Sequence, residues 1–481
     1  MGKIATIKSF IVKGDRVVPV SVEATVFQEG IGIHVVGLAD SAVKEVLLRT
    51  CTALQACGYR VPGRKLVISV KAEDGLPVTQ GAAGLDLPVA LAILEASEQV
   101  SFGEATLEDL AFAGELCLDG SLRRVRGAYA MALASEAIVL PEANALDIAV
   151  CPRIGDEHKV YSASRLNAVV FLDRGVTATD IASERHGDGS SVPDGQEADL
   201  ALVDVGPSPV LRYLLIAAAG GHPIRLRGGD NPRLLERCLL SILPPMSEDE
   251  AVETALVYDA AGESVGDRIG KRPARFPVAS SSIATLVGGG AGGVLPGEVS
   301  LAHNGLLVLP DPYVMPRSAL EAVRTVREEG RVTISRLHER VVFPSRFLLV
   351  GETRYGSKTE QAADDLFDIV CDAPDVRVRD QRKGVSSADL RAIVSRVRQV
   401  QAQRYAGTGI RTNGELTAAQ ARIVCPFEDG VREFLEVLCA DMPGIITRVL
   451  RVARTIADIE GDERVAATHV IEAAGLVSRG R

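Results

Sequence analysis

A polar stretch rich in glycine, serine and proline, ERHGDGSSVPDGQE, interrupts the 481-residue chain at Glu184–Glu197. This composition is typical of a solvated linker between domains. The chain is long enough for two or three domains with separate cores. The sequence therefore predicts a first domain at residues 1–175, a linker at 176–200, a core at 201–380 and a helical domain at 381–481.

The segments on the two sides of this stretch carry different patterns. In the middle segment, strand candidates lie at Pro223–Leu226, Gly305–Leu309 and Phe347–Val350, with helical patterns between them. Strands that alternate with helices favour a parallel α/β sheet. The last segment is helical, with amphipathic helices predicted at Leu390–Arg404 and Thr447–Glu460.

The first segment mixes both kinds of element. Pro19–Val26 alternates apolar and polar residues, as a half-buried strand does, and Leu66–Val70 is rich in β-branched residues. Ser41–Ala56 has apolar residues at helical spacing before a glycine, and Asp86–Ala96 is a strongly apolar helix with proline near its start. We therefore expect strands and helices in one α+β unit.

The composition of the chain excludes some classes of function. The formal net charge is -10 and aromatic residues make up 4% of the chain, with no tryptophan, so a whole-surface nucleic-acid footprint and stacking platforms are not expected. The 8 cysteines contain no CxxC pair, which favours reduced thiols. No stretch approaches the roughly 20 apolar residues of a membrane span, and no signal core is evident. We expect a soluble cytoplasmic protein without a membrane partner.

Several blocks along the chain match one known family in their order. The first segment contains HVVGLADSAVKEV, GLDLPVALAILEAS and LAFAGELCLDGSLRRVRGA. The middle contains LLIAAAGGHP, SILPP and LVGGGAGGVLPGEVSLAHNGLLVL, and the end contains RVLRVARTIADIEG. An ordered set of blocks is more specific than one short motif. Over almost its whole length the chain resembles the magnesium-chelatase-like AAA+ family of ComM/YifB type.

That resemblance implies an α/β protein of three parts. These are a Lon-protease-like (S5-type) α+β amino-terminal domain, an AAA+ core with a parallel sheet, and a carboxyl-terminal helical lid. Members of the family are ring-forming ATPases associated with DNA processing during natural transformation. The resemblance therefore implies ATP and magnesium as cofactors, and other AAA+ subunits and DNA as partners.

The phosphate-binding loop of such ATPases reads GxxxxGK[ST], in which lysine reaches the phosphates and the hydroxyl holds magnesium. The corresponding stretch here is shorter, and its candidate nucleotide contacts are Arg227, Gly228, Gly229, Asp230, Asn231 and Arg233. No lysine occurs between Lys159 and Lys271, and Asp230 adds a negative charge. Arg227 or Arg233 would have to replace the lysine, although arginine differs from it in reach and geometry.

The other catalytic positions that the resemblance implies are also changed. Pro310 and Asp311 stand where the family has its acidic pair, and Asp311 would be the remaining acidic contact. Leu366 stands at the arginine-finger position and Gly444 at the position of the lid arginine. A trans-acting arginine stabilises transition-state charge in phosphoryl transfer. No residue is therefore predicted to be catalytic, and neither ATP nor magnesium is supported by the site residues.

Three further motifs have structural interpretations. The glycine run Gly288–Gly293 leads into a strand and is predicted to be a structural loop. Gly81–Gly84 has alanine where a Lon serine would stand, and Arg126–Met131 lacks the lysine base, so proteolysis is not expected. His222 and His303 are predicted to be core or loop histidines. No residues have metal-ligand spacing, and no metal site is predicted.

The leading hypothesis is a non-hydrolysing AAA+-like protein that acts by assembly or binding, either in a mixed ring with an intact relative or by holding DNA or a protein. The alternative is an active ATP-hydrolysing DNA motor with drifted motifs, and a third option is a decayed paralogue. The retained blocks GEVSLAHNG and RVARTIADIEG argue against decay. DNA contacts are predicted on an arginine-bearing hairpin, for which a solvated strand face is an equal alternative; these residues are Arg331, Arg336, Arg340 and Arg346.

Overall fold

A computed structural model describes residues 3–14, 16–78, 81–100, 109–155, 157–172, 176–186, 199–290, 293–336, 339–354, 361–379, 381–438 and 443–478. Within these ranges the strands are β1 Ile4–Lys13, β2 Arg16–Val26, β3 Ile33–Val36, β4 Leu66–Ala72, β5 Ala111–Phe112, β6 Glu115–Leu116, β7 Leu122–Arg123, β8 Ala137–Pro141, β9 Lys159–Ala163, β10 Val203–Asp204, β11 Ile224–Arg227, β12 Ala274–Arg275, β13 Gly288–Gly289, β14 Leu295–Pro296, β15 Leu306–Pro310, β16 Arg331–Arg336, β17 Glu339–Pro344, β18 Leu348–Thr353, β19 Ile369–Asp372 and β20 Arg377–Val378.

The helices in the same ranges are α1 Asp40–Ala56, α2 Asp86–Ala96, α3 Ala128–Leu133, α4 Glu142–Ile148, α5 Leu166–Val170, α6 Ala178–His186, α7 Val210–Gly220, α8 Pro232–Ile242, α9 Glu248–Ala261, α10 Ile283–Val287, α11 Glu298–Leu301, α12 Arg317–Glu329, α13 Gln361–Asp364, α14 Ser387–Arg404, α15 Ala418–Val424, α16 Val431–Leu438, α17 Ile446–Glu460 and α18 Ala467–Ser478. Among these described helices, none is both long and apolar enough to cross a membrane.

The first segment is built on a seven-stranded mixed sheet with the order β3-β4-β2-β1-β5-β8-β9. β1 and β2 form an antiparallel hairpin in which Ile7 lies opposite Val22, and both side chains are buried. Helix α2 lies across these two strands and is buried along its whole length, which explains why its sequence is apolar on every side. The predicted strands and helices of this segment are confirmed.

The middle segment contains a five-stranded sheet in the order β12-β15-β18-β11-β19, and every pair in it is parallel. Alternate residues of β15 face opposite layers of helices. Val308 packs in the cluster that includes helices α7, α8, α14 and α17, whereas Leu307 and Leu309 pack against α12. A parallel sheet buried on both faces needs such near-continuous apolar strands. The prediction of a parallel α/β core is confirmed.

The carboxyl-terminal segment is helical, as the pattern predicts. Helix α14 begins with a capping box in which the Ser386 side chain accepts from the amide of Asp389. Helix α17 ends at Gly461, whose φ of 86° is the left-handed conformation that a glycine stop provides. Both helices pack on α7, so this segment covers one face of the core sheet.

The first and middle segments share a hydrophobic cluster. Val252, Ala255 and Tyr258 of α9 pack in the same cluster as Tyr129 and Ile148 of the first segment. Helix α6 occupies residues 178–186, within the interval for which the sequence predicts a linker, and residues 187–198 lie outside the described part. The proposed domain boundaries stay a prediction, and the contact through α9 joins the segments on either side of the linker.

Candidate functional site

The predicted nucleotide loop lies at the carboxyl-terminal edge of the core sheet, between β11 and α8. Ligands of open α/β sheets bind at this edge. The structure brings the loop close to Asp311, because both contact the end of β18. The amide of Gly228 donates to the carbonyl oxygen of Thr353 at 2.8 Å, and the amide of Asp311 donates to that of Glu352 at 2.8 Å.

The loop is packed down on the neighbouring strand β19 and the residues that follow it. Gly229 has a φ of 79°, and a Cβ added there would lie 3.0 Å from the carbonyl oxygen of Pro374. The carboxylate of Asp230 accepts from the amide of Val376 at 2.8 Å. Asp230 is therefore held by the protein's own main chain, in a region where a working loop surrounds phosphate.

The first turn of α8 is also occupied by protein groups. The Asn231 side chain accepts from the amide of Leu234 at 3.2 Å, which makes it the N-cap of the helix. Pro232 follows at the first helical position and has no N–H to donate. Anion sites at helix starts depend on free amides of this turn. The cap and the proline reduce the donors that a phosphate could use.

Both arginines that could replace the missing lysine have partners on the protein. Nε of Arg227 lies 2.6 Å from Oδ1 of Asp372 at the end of β19. The guanidinium of Arg233 lies 3.9 Å from the ring centroid of Phe276, and its Nε is 4.0 Å from Oε1 of Glu352. A phosphate would have to compete with these partners.

A pair of glutamates lies beneath the loop, and the sequence interpretation missed it. Glu236 of α8 is 1% exposed, and its two carboxylate oxygens have no hydrogen-bond donor among the described residues. Burial, together with the neighbouring Glu352, raises the pKa of Glu236 far above its ordinary value. A buried carboxyl group next to a second carboxyl group ionises at a high cost, so Glu236 favours its neutral form. The only sequence signal was a glutamate in the otherwise apolar face of LLERCLL.

Asp311 follows the last residue of β15 in a left-handed backbone conformation, with a φ of 43°. Non-glycine residues rarely adopt this conformation. Its Oδ1 is buried and has no donor among the described residues. Pro310 still belongs to β15, and the strand breaks at Asp311. The site therefore contains three carboxyl groups, of Glu236, Glu352 and Asp311, whose buried oxygens include at least one that accepts from no donor in the described part of the chain.

Leu366 and Gly444, the two positions at which the family resemblance implies arginines, lie in different environments. Leu366 is 1% exposed and packs in the cluster with Phe367 and Leu349, so its side chain belongs to the core. Gly444 is exposed, and a Cβ added there would have no described atom within 4 Å. Arg448 of α17 instead donates to the carbonyl oxygen of Phe367 at 3.1 Å. This arginine joins the helical segment to the core.

His222 joins the core to the retained RVARTIAD block of α17. Its Nδ1 lies 3.1 Å from Oδ2 of Asp368 and its Nε2 lies 2.8 Å from the hydroxyl of Thr455. Burial lowers the pKa of His222, which favours the neutral ring. Asn413 extends the network by donating to Thr455 and to Asp458, each at 2.9 Å. The network fixes α17 against the sheet through buried polar contacts.

The predicted arginine hairpin is present as the antiparallel pair β16 and β17, in which Ser335 lies opposite Arg340. Arg331 and Arg340 are exposed and lie on the same face. Arg346 lies beyond the hairpin, is half-buried, and its amide donates to Nδ1 of His303 at 3.0 Å. The side chain of Arg336 lies outside the described residues. Two of the four predicted arginines therefore form an exposed basic face.

The two segments that the resemblance places at a Lon catalytic centre meet in the structure. Residues of Gly81–Gly84 and of Arg126–Met131 line one cavity of about 440 Å³ between the first segment and the core. Val294 and Leu295, next to the glycine run, line its other side. Among the described lining residues, none is serine, threonine, cysteine or lysine. The described wall of the cavity therefore contains neither a protease nucleophile nor the lysine base of a Lon protease.

One group of potential metal ligands was not predicted from the spacing of residues in the sequence. Ligand atoms of Glu460, Asp462 and His469 lie within 4.8 Å of one another. Nδ1 of His469 accepts from the amide of Ala466 at 3.0 Å, and its Nε2 faces Glu460 at 3.0 Å. Arg212 also contacts Glu460, at 2.8 Å. These contacts explain the group as an ion-pair network at the end of α17.

Comparisons with known proteins agree with this architecture. The profile described as magnesium chelatase, subunit ChlI, matches residues 199–384, and two others, for subunit ChlI of Mg-chelatase and for the ChlI C-terminal part, match 22–144 and 384–476. The uncharacterized protein YifB of Salmonella typhimurium is 31% identical, with 95% of this chain and 93% of that protein covered.

Two other relatives are similar to the same extent. The YifB protein of Escherichia coli is 31% identical over 95% of this chain and 93% of its own length. The competence protein ComM of Haemophilus influenzae is 31% identical over 92% of this chain and 91% of its own length. The matches run in the same order along the whole chain and include the sheet, the altered loop and the helical segment. The chain belongs to the magnesium-chelatase-like family of ComM/YifB type.

Proposed function

We propose that this family member does not hydrolyse ATP and acts through assembly or binding. The observation that carries the proposal is the state of the loop at Gly228–Arg233. It contains no lysine, Asn231 caps the helix that follows, and Asp230 is bonded to the main chain. A phosphate would find neither the cation nor the full set of amides that a working loop supplies.

Electrostatics supports the same conclusion. Phosphoryl transfer is catalysed mainly by positive groups placed around the transferring phosphate. In this site Arg227 and Arg233 already pair with Asp372 and with Phe276 and Glu352. Leu366 and Gly444 offer no charge from a neighbouring subunit or from the helical segment. Hydrolysis should suffer more than residual binding, because the missing groups act mostly in the transition state.

The role that remains is assembly or binding, and the retained structure supports it. The described core has a five-stranded parallel sheet, and the network around His222 and Thr455 fixes the helical segment to it. The exposed arginines of the hairpin, Arg331 and Arg340, offer a surface for DNA phosphates. Together with the name of the Haemophilus relative, this surface leads us to propose DNA processing linked to competence, in a ring with an intact relative or alone.

Two measurements on the purified chain test the proposal. Phosphate release with and without DNA, and calorimetric titration with ATP and magnesium, should show no turnover above contaminant level and no tight binding. An unrelated ATPase serves as the positive control. The alternative function, an active motor with drifted motifs, predicts turnover that is lost in the variants Arg227→Ala and Asp311→Ala. That outcome would show a site rebuilt from unfamiliar residues and would replace this proposal.

A further inference from the structure

The cavity between the first segment and the core is lined in nearly half of its positions by glycine or alanine. Its volume of about 440 Å³ falls in the range of ligand pockets. Five of the fifteen described lining residues are glycines and two are alanines, and the glycines are Gly14, Gly81, Gly84, Gly127 and Gly293. Where side chains are this small, another backbone can approach closely. We call this space the inter-segment cavity.

Glycine is not required for packing at every one of these positions. A Cβ added at Gly127 would lie 2.3 Å from Cγ2 of Val12, so glycine is needed there. At Gly84 the backbone is ordinary for any residue, and the nearest described atom to an added Cβ, on Val125, is 3.7 Å away. Gly84 therefore keeps open a space that a larger side chain could fill.

The charged side chains that line the inter-segment cavity include both acidic and basic groups. Arg124 is paired with Asp147 at 2.6 Å, whereas Glu115 and Arg126 also line the cavity. The stem of Arg126 lies against Gly262 at the end of α9, 3.1 Å from a Cβ added there. Gly262 of the core segment therefore helps to position the guanidinium group of Arg126, a residue of the first segment. A polyanion would meet the carboxylate of Glu115, whereas a chain with mixed charges can satisfy both groups.

We propose that the inter-segment cavity binds an extended peptide segment of a partner protein without cleaving it. A wall rich in glycine and alanine suits an extended peptide because the backbone of the peptide can approach it closely. The opposite charges of Glu115 and Arg126, which both line the cavity, match a peptide that carries basic and acidic side chains. The described lining provides no nucleophile, so the bound chain stays intact. This binding site includes no residue of the nucleotide loop, whereas Val341 of the arginine hairpin packs against Gly14 and Val294 of its wall.

Fluorescein-labelled, chemically unfolded casein is the probe for this site, with fluorescence anisotropy as the readout. The variant Gly84→Leu fills the cavity and should weaken casein binding on the order of tenfold, which corresponds to about 1.4 kcal/mol. Gly475→Leu is the matched control, because Gly475 is an exposed helical glycine with open space around an added Cβ. The charge variants Glu115→Gln and Arg126→Gln should each weaken binding several-fold and keep the melting temperature.

A second measurement tests the proposal even if the variant Gly84→Leu fails to fold. A photo-crosslinking amino acid placed at Ala83, in the wall, should capture casein, and the same group placed at Gly475 should not. Gel electrophoresis should show casein of unchanged length after incubation. The proposal is overturned if the native chain does not bind casein, if Gly84→Leu and the charge variants bind it like the native chain, or if crosslinking is equal at the two positions. Cleavage of casein would overturn the non-cleaving part.

Discussion

The carboxylate of Asp259 accepts a hydrogen bond from the amide of Tyr129 at 2.9 Å, across the boundary between the core and the first segment. The same oxygen accepts from the amide of Ala130 at 3.1 Å. Asp259 lies in α9, whereas the two amides belong to the first turn of α3, so a core residue caps a helix of the other segment. The two segments are joined by a buried polar contact in addition to their shared hydrophobic cluster.

Replacement of Asp259 should weaken this junction. Asp259→Ala removes the cap and leaves two buried amides without an acceptor, so the free energy of unfolding should fall by about 2 kcal/mol. Asp259→Asn keeps an acceptor of the same shape and should lose less. Urea unfolding of both variants at pH 6 measures the difference. Equal stability of the alanine variant and the native chain would show that the cap contributes nothing.

The glutamate pair should make stability depend on pH. The pKa of Glu236 is raised in the folded chain above its unfolded value of about 4.3. The folded state therefore holds a proton that the unfolded state has released, and the contribution of Glu236 declines as pH rises from about 4.3 towards the folded pKa. Because burial also raises the pKa of Asp259, to about 7, that residue adds a similar decline that is complete near neutrality.

The variant Glu236→Gln separates the two contributions. Glutamine cannot release a proton, so the decline in the free energy of unfolding between pH 7 and pH 9 should be smaller than in the native chain. Urea titrations of the native chain, Glu236→Gln and Asp259→Asn at pH 5, 7 and 9 provide the comparison. An unchanged slope above pH 7 in Glu236→Gln would mean that Glu236 is already ionised in the folded chain.

Restoring a lysine alone should not restore hydrolysis. Pro232→Lys places an ammonium group at the start of α8, but Asp230 and Asn231 remain bonded to the protein and no arginine is supplied at Leu366 or Gly444. Phosphate release by Pro232→Lys should equal that of the control Pro232→Ala. Turnover above the control would show that the lysine was the only functional group missing.

DNA binding, where it occurs, should depend on the hairpin and on salt. The double variant Arg331→Ala, Arg340→Ala should reduce the slope of log affinity against log salt by about 2, one for each lost phosphate contact. The control pair Arg60→Ala, Arg464→Ala removes the same charge from exposed positions elsewhere. Gel-shift titrations at several salt concentrations measure both slopes. Equal slopes for the two double variants would remove the hairpin from the proposed surface.

The parts of the structure that the sequence predicts are those determined by local pattern. The strand that became β11 and the helix that ends at Gly461 could be located because apolar periodicity and a glycine stop act over a few residues. The glutamate pair could not be located, because Glu236 and Glu352 belong to different elements and meet only when α8 packs on β18. The partners of Arg227 and Asp230 could not be predicted either, because they lie in distant parts of the sequence. The motif positions show which functional groups the nucleotide loop lacks. Only the fold shows which protein groups contact Arg227 and Asp230.

The contact between His222 and Thr455 has a mechanical consequence. In a motor that cycles, the helical segment must move relative to the sheet each time a ligand is exchanged. Here the buried imidazole of His222 joins Asp368 of the core to Thr455 of the helical segment, and separating them would leave buried polar groups without partners. These contacts therefore oppose a movement of the helical segment relative to the sheet.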